Sequence, residues 1–261
     1  MGYSCKSCKK CMLKDNFNIT KDKDVLVIAL AGNPNTGKST IFNALTGLNQ
    51  HTGNWPGKTV LQAQGTCIIK GKKCTLVDLP GTYSLLANSI DEVVARDFLC
   101  FAKPDATIVV TDATCLERNL NLALQVLEIT DKVVVCVNLM DEAERKGIKV
   151  NTDLLAAELG VPVIPTSARS KQGLDELISM VYELATGNIT SNPNPIPYDQ
   201  DLEEAIQELQ PQIEALLKGR LNSRWVALRL IEGDEELLEG IKNYLSQEEL
   251  EEDRVEEKCA Q

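Results

Sequence analysis

The residues GNPNTGKST at 32–40 fit the pattern G-x-x-x-x-G-K-[ST] from Gly32 to Ser39. Glycines at both ends let such a loop curl so that successive backbone N–H groups point inward at a phosphate. In this pattern Lys38 is a point charge bridging the β- and γ-phosphates, and the Ser39 hydroxyl is a ligand for Mg2+. A chance glycine turn is the bland alternative, and a complete pattern between an apolar strand and a helix argues against it. Further on, DLPG at 78–81 offers Asp78 to hold Mg2+ through water and the Gly81 N–H to reach a γ-phosphate. Between them lies NQHTGNWPGKTV (49–60), polar, Gly-rich and without periodicity. Thr59 is its natural candidate to close over Mg2+ and the γ-phosphate, with an ordinary loop threonine as the alternative.

Two later motifs choose the base. In NLMD (138–141) the Asp141 carboxylate can accept both the N1–H and the exocyclic amino protons of guanine, a pair adenine does not offer. Asn138 can reach the base edge and tie back to the phosphate loop. In TSAR (166–169) the Ala168 backbone N–H can approach guanine O6. Each short motif is weak alone, since Asn-x-x-Asp also caps helices; five in this order favour guanine over adenine. The candidate nucleotide contacts are Gly32, Asn33, Pro34, Asn35, Thr36, Gly37, Lys38, Ser39 and Thr40, then Gly57, Lys58 and Thr59. To these the later motifs add Asp78, Leu79, Pro80 and Gly81, then Asn138, Leu139, Met140 and Asp141, then Ser167, Ala168 and Arg169.

The elements that must position these residues are legible in the apolar pattern. VLVIALAG (25–32), ATIVVTDA (106–113) and VVVCVN (133–138) are short, unbroken and β-branched, as strands covered on both faces should be. CTLVDL (74–79) and VPVIPTS (161–167) read as further strands. STIFNALTG, LERNLNLALQVLEITD, NTDLLAAELG and LDELISMVYELATG have apolar residues at helical spacing. This alternation predicts an α/β fold with a mostly parallel sheet flanked by helices. QAQGTCIIKGKKCTLVD reads as a hairpin around Lys70–Lys72, so one edge is expected to be antiparallel. After Tyr198 the strand signal vanishes, and three segments with Leu/Ile stripes predict a small all-α domain.

Charge divides the chain at the same place. The 261 residues carry a net charge of −11, yet residues 1–198 hold 20 acidic and 20 basic side chains. Residues 199–261 hold 18 acidic and 7 basic, and so carry the whole excess. The division expected is a Cys/Lys-rich extension (1–23), a nucleotide-binding domain (24–186), a Pro/Asn-rich linker (187–198) and an acidic helical domain (199–261). Without a basic face, no nucleic-acid partner is expected. No apolar run approaches the ~20 residues that span a bilayer, and residues 1–14 lack the apolar region of a signal peptide. A single histidine argues against His-based zinc catalysis. A soluble, acidic, intracellular protein is the expectation.

With these residues in place the chain resembles Ras-like P-loop GTPases, and more closely the N-terminal cytoplasmic part of the ferrous iron transport protein B (FeoB) family. The resemblance rests on GNPNTGKST, TGNWPGKTV, DLPGTYSL, NLMD in place of Asn-Lys-x-Asp, and SAR, with GNWPG (53–57) the most discriminating. It covers about residues 24–260. It implies a GTP-hydrolysing G domain followed by a helical, GDI-like domain that modulates nucleotide release. It also implies a polytopic iron-permease domain C-terminal to this chain as partner, at the cytoplasmic face of the bacterial inner membrane, so that the chain is a fragment or a product lacking its pore. A second copy of the chain is a further candidate partner. The resemblance further implies a K+ site at Asn35, and a catalytic set of Asn35, Lys38, Thr59 and Gly81. Mg2+ would be held by Ser39, Thr59 and Asp78. Two departures carry expectations. Leu139 replaces the lysine whose stem stacks on the base, and Thr82 follows Gly81 where a glutamine would orient water, so intrinsic hydrolysis should be slow. A free-standing regulatory GTPase acting on a protein partner or in ribosome assembly is the alternative function.

One feature stands outside this reading. CKSCKKC places Cys5, Cys8 and Cys11 at the spacing of a cluster- or zinc-binding run with a ligand missing, and the adjacent lysines favour thiolate. An Fe or Zn site and a reactive tail are the two readings. Cys67, Cys74, Cys100, Cys115 and Cys136 are expected to be buried thiols. His51 is expected to be an exposed loop residue, and Trp55 either a nucleotide or partner contact or a loop anchor. The acidic run LSQEELEEDRVEEK reads as a solvated helix face rather than an Fe2+ site.

Overall fold

The computed structural model describes Phe17 and residues 25–47, 50–55, 58–86, 88–235 and 237–246. Cys5, Cys8, Cys11, Gly57 and the acidic run beyond 246 lie outside the described residues. One seven-stranded sheet has the order β2-β3-β4-β1-β5-β6-β7. Its strands are β1 (Leu26–Gly32), β2 (Gln50–Asn54), β3 (Leu61–Ile69), β4 (Lys72–Asp78), β5 (Ala106–Asp112), β6 (Val133–Asn138) and β7 (Val163–Pro165). β4-β1-β5-β6-β7 are parallel, and the β2-β3-β4 edge is antiparallel. The hairpin read from Lys70–Lys72 is the β3–β4 turn, where Lys70 and Gly71 both take positive φ.

Both faces of the parallel strands are covered, which is why they read as continuous apolar runs. Alternate residues of β1 enter different cores. Val27, Ala29 and Ala31 join Val77, Phe98 and Leu122 on one face. Leu26, Ile28 and Leu30 join Ile41, Phe42, Leu76 and Leu177 on the other. The covering helices are α1 (Lys38–Thr46), α2 (Ile90–Asp97), α3 (Leu116–Ile129), α4 (Met140–Arg145), α5 (Thr152–Leu159) and α6 (Leu174–Ala185). α2 is not visible in the apolar periodicity, but its start carries a serine N-cap reinforced by Glu92. Ser89 Oγ accepts from the Glu92 N–H at 3.3 Å, and Glu92 Oε2 accepts from the Asn88 N–H at 2.9 Å. α2 runs directly into a π-helical turn, Phe98–Ala102.

The helical region comprises α7 (Gln200–Leu217), α8 (Ser223–Glu232) and a last helical stretch at 237–246. Asp199 and Asn222 cap α7 and α8 with side-chain oxygens. Its core of Ile206, Ile213, Leu217, Trp225, Leu228, Leu237 and Ile241 also takes in Cys100 of the π-helical turn. Arg96 at the end of α2, almost fully buried, reaches Asp97 and Asp234 at 3.1 Å. Residues 192–194 are tied to α5: the N–H groups of Asn192 and Asn194 donate to the carbonyls of Gly160 and Leu159. The Pro/Asn-rich segment is therefore a docked strap rather than a free tether.

Candidate functional site

The two central strands β1 and β4 end side by side, with Leu30 opposite Asp78 in the ladder. The phosphate-loop residues follow β1 directly and lead into α1, so the loop sits at the carboxyl edge of the sheet, where α/β folds bind ligands. Close packing dictates its glycines. A Cβ on Gly32 would lie 2.7 Å from the Val110 carbonyl. Gly37 has φ +83°, and a Cβ there would meet Asn138 Nδ2 at 2.3 Å. Asn35 is exposed with φ +68°, a conformation asparagine tolerates better than most residues. No side chain caps α1 and no acid sits in its first turn, leaving its N-terminal N–H groups for a ligand.

Asn138 binds three motifs together. Its Nδ2 donates to the Thr36 carbonyl at 2.9 Å. Its Oδ1 accepts from the Thr166 hydroxyl at 3.1 Å and from the Ala168 N–H at 3.0 Å. The tie to the phosphate loop expected of Asn138 is thus present. The Ala168 N–H, expected at guanine O6, is engaged by Asn138 in this structure. Ser167 Oγ accepts from the Asp141 N–H at 3.1 Å, and the Met140 N–H donates to the Thr166 carbonyl at 3.2 Å. NLMD and TSAR therefore form one hydrogen-bonded unit. Leu139 starts α4 with φ +63°, and its carbonyl accepts from Glu142 and Ala143. The Asp141 carboxylate is half-exposed, 3.6 Å from Arg145, while Arg169 and Thr40 are exposed.

Lys38 Nζ pairs with Asp78 and donates to the Leu79 carbonyl at 2.6 Å. Burial raises the Asp78 pKa, and the Lys38 ammonium opposes that shift. Lys38 and Asp78 line a cavity of about 410 Å³ with Thr52, Leu61, Gln62, Ala63, Leu79, Pro80 and Gly81. Thr59 is not among the lining residues. Within the segment expected to be irregular, Gln50–Asn54 forms β2 instead: it pairs with β3, and the Trp55 N–H donates to the Val60 carbonyl at 2.9 Å. Thr59 stands exposed on its loop, His51 is exposed on β2, and Trp55 is a buried anchor. The lining by Thr52 and Gln62 was missed because it depends on β2–β3 pairing. The role of Thr166 was within reach, since it belongs to the TSAR motif.

The donor chemistry suits a phosphate and a hard cation. Ser39 and Asp78 carry oxygen atoms of the kind a hard cation takes, and both amide atoms of Asn33, 2% exposed, lack a protein partner among the described residues. Among the described residues no cluster of three or more His, Cys, Asp or Glu side chains forms a further metal site. Cys74, Cys100 and Cys136 are buried as expected; Cys67 is half-buried. Cys115 is exposed, against expectation, because it lies in the 3-10 turn that precedes α3 rather than within the helix.

A family model described as "Ferrous iron transport protein B" matches residues 26–181, and a second, "FeoB cytosolic helical domain", matches 198–261. The chain belongs to the ferrous iron transport protein B family. The Fe(2+) transporter FeoB of Methanocaldococcus jannaschii is 43% identical over 219 residues, covering 83% of this chain and 32% of that protein. FeoB of Escherichia coli K12 is 40% identical over 218 residues, covering 80% and 27%. The chain thus spans about a third or less of the length of these FeoB relatives. The cytosolic domain of the T. maritima FeoB iron transporter is 39% identical in its apo form, with a TM-score of 0.75 over 84% of this chain and 86% of that one. Its GDP form I matches with a TM-score of 0.74 at 39% identity, over 84% and 85%. The FeoB fold here is therefore a P-loop GTPase domain, with a mostly parallel sheet flanked by helices, followed by a small all-α domain.

Proposed function

We propose that this chain binds GTP and hydrolyses it to GDP and phosphate, as the cytoplasmic switch of a ferrous-iron transporter. The observation that carries the proposal is the knot around Asn138, which brings the phosphate loop and both base-reading motifs to one edge of the sheet. In this reading the loop N–H groups and Lys38 hold the β- and γ-phosphates, and Asp141 reads guanine. Lys38 exchanges its Asp78 contact for the phosphates. Ser39, Asp78 and Thr59 are the residues that would hold Mg2+, Thr59 after an inward movement of its hairpin; when bound, the ion would supply charge neutralisation to the phosphoryl oxygens. Asn35 would help hold K+, which would supply further positive charge to the phosphates. Water attacks the γ-phosphorus as the bond to the β–γ bridging oxygen breaks; that bond's electron pair stays on GDP, the water's proton ends on the phosphate product, and the Gly81 N–H stabilises the phosphoryl group in transfer. With Thr82 where a water-orienting glutamine would stand, intrinsic turnover is slow.

The relatives named as Fe(2+) transporters support the reading of an iron-permease domain as partner, with this region working at the cytoplasmic face of the membrane. Among the described residues no helix is long and apolar enough to cross a membrane. Residues 24–186 form the catalytic domain, 187–198 the linker and 199–261 the helical regulator. For Cys5, Cys8 and Cys11 an Fe or Zn site and a reactive tail are the two readings, which metal analysis of anaerobically purified protein with and without residues 1–14 separates. The function as a whole is tested by GTP turnover and GDP binding in parent and Lys38→Ala protein. Loss of both in the variant is expected, and unchanged GDP binding would sink the assignment.

A further inference from the structure

Phe17 lies outside both regions matched by the FeoB models, which begin at 26 and 198. Yet its ring enters the G domain at a particular place. Phe17 stands edge-on to Trp55 (centroids 6.3 Å apart, 79° between planes) and to Phe98 (5.4 Å, 78°). Trp55 and Phe98 meet the same way at 5.4 Å and 73°. The Phe17 carbonyl accepts from Gln62 Nε2 at 3.0 Å, which fixes it to β3.

Trp55 directly follows the β2 strand of the hairpin that moves in the proposed cycle, while Phe98 links the ring cluster to the helical domain. Trp55 closes the β2–β3 hairpin, and its N–H and carbonyl bond to Val60 and Lys58 on either side of Thr59. Phe98 opens the π-helical turn after α2, whose next residues, Cys100 and Phe101, pack into the helical domain. The Trp55 indole N–H has no hydrogen-bond partner among the described residues, so packing against the rings of Phe17 and Phe98 holds the side chain.

We propose that Phe17 is a positioning residue for the nucleotide cycle: it clamps Trp55 against Phe98 and so holds the 50–60 hairpin with Thr59 turned away from the Lys38–Asp78 cavity. Phe17 thereby acts in cis against the GTP-bound arrangement. The inference rests on the reading of Thr59 as the closing residue. Because an equilibrium between outward and inward hairpins sets the apparent affinity of a ligand that binds the inward one, loosening the clamp favours GTP over GDP.

The test is the ratio of affinities for a non-hydrolysable GTP analogue and for GDP, in parent, Phe17→Ala, Phe17→Leu and Thr59→Ala proteins. All carry Trp225→Phe, so that Trp55 reports alone. Removing two edge-to-face contacts should raise the analogue:GDP ratio about three- to tenfold in Phe17→Ala. GDP affinity should hold and Trp55 emission move to the red, with Phe17→Leu intermediate. A ratio unchanged in Phe17→Ala would overturn the inference, with or without a shift in emission. If that ratio stays fixed while Thr59→Ala loses hydrolysis, the Thr59 reading survives and the clamp alone fails. If Thr59→Ala hydrolyses GTP like the parent, the Thr59 reading and the clamp built on it both fall.

Discussion

Substituting Gly37 with alanine tests the packing of the site directly. Gly37 has φ +83°, which costs an alanine about 1–2 kcal/mol. Its new Cβ would also stand 2.3 Å from Asn138 Nδ2. A side-chain end can often swing away cheaply, but this amide is held by bonds to Thr36, Thr166 and Ala168. Moving it leaves the Thr36 carbonyl, itself buried in the loop, without its donor, a further ~1–3 kcal/mol. The sum is about 2–5 kcal/mol, a fall in Tm of roughly 5–15 °C for a chain of this size. Gly147→Ala is the control, because Gly147 has φ +71° with nothing within 4 Å of its Cβ position. It should lose only about 1–2 kcal/mol. Urea denaturation followed by circular dichroism measures both. Equal destabilisation of the two variants would refute the argument that Asn138 forbids a side chain at Gly37.

The contact between G and helical domains and the strap should respond to charge. Arg96→Met removes the buried guanidinium shared by Asp97 and Asp234 and should cost about 1–3 kcal/mol, less than a fully buried pair because both acids are partly exposed. Asp234→Asn should cost less, since it keeps an acceptor; equal losses in denaturation would contradict the ion-pair account. Arg224 holds Glu203 with two hydrogen bonds at 2.7 and 2.8 Å, and the Glu203 pKa is lowered to about 2. A depressed carboxylate stabilises the fold above its unfolded pKa and loses that contribution as pH falls, here from about 4.5 to about 2. Glu203→Gln should therefore flatten the acid dependence of helical-domain unfolding in that window, measured by Trp225 fluorescence in proteins that carry Trp55→Phe.

How far the sequence reveals the molecule depends on the range of the interactions. The phosphate loop, the β3–β4 turn and the buried strands are legible because short segments carry their own geometry or apolar run. α2 escapes a periodicity argument because it is only eight residues long, although Ser89 and Glu92 announce its start. The 49–60 hairpin is not legible: its composition is that of a loop, and β3 supplies the ladder that orders it. Trp55 could be read as an anchor but not located, since Phe98 lies in an element the pattern conceals. Cys115 shows the opposite error, an apolar-looking residue on a helical run that falls in the exposed turn before it.

Guanine recognition by Asp141 is the central chemical claim, and base exchange tests it most directly. Guanine presents two donors to the carboxylate, whereas xanthine presents one donor and a carbonyl, the complement of an amide. Fluorescence titration of parent and Asp141→Asn protein with labelled GDP and XDP gives the four affinities needed. The account predicts that the parent prefers GDP and that Asp141→Asn reverses the preference toward XDP. A variant that keeps the parent's preference for GDP would contradict it.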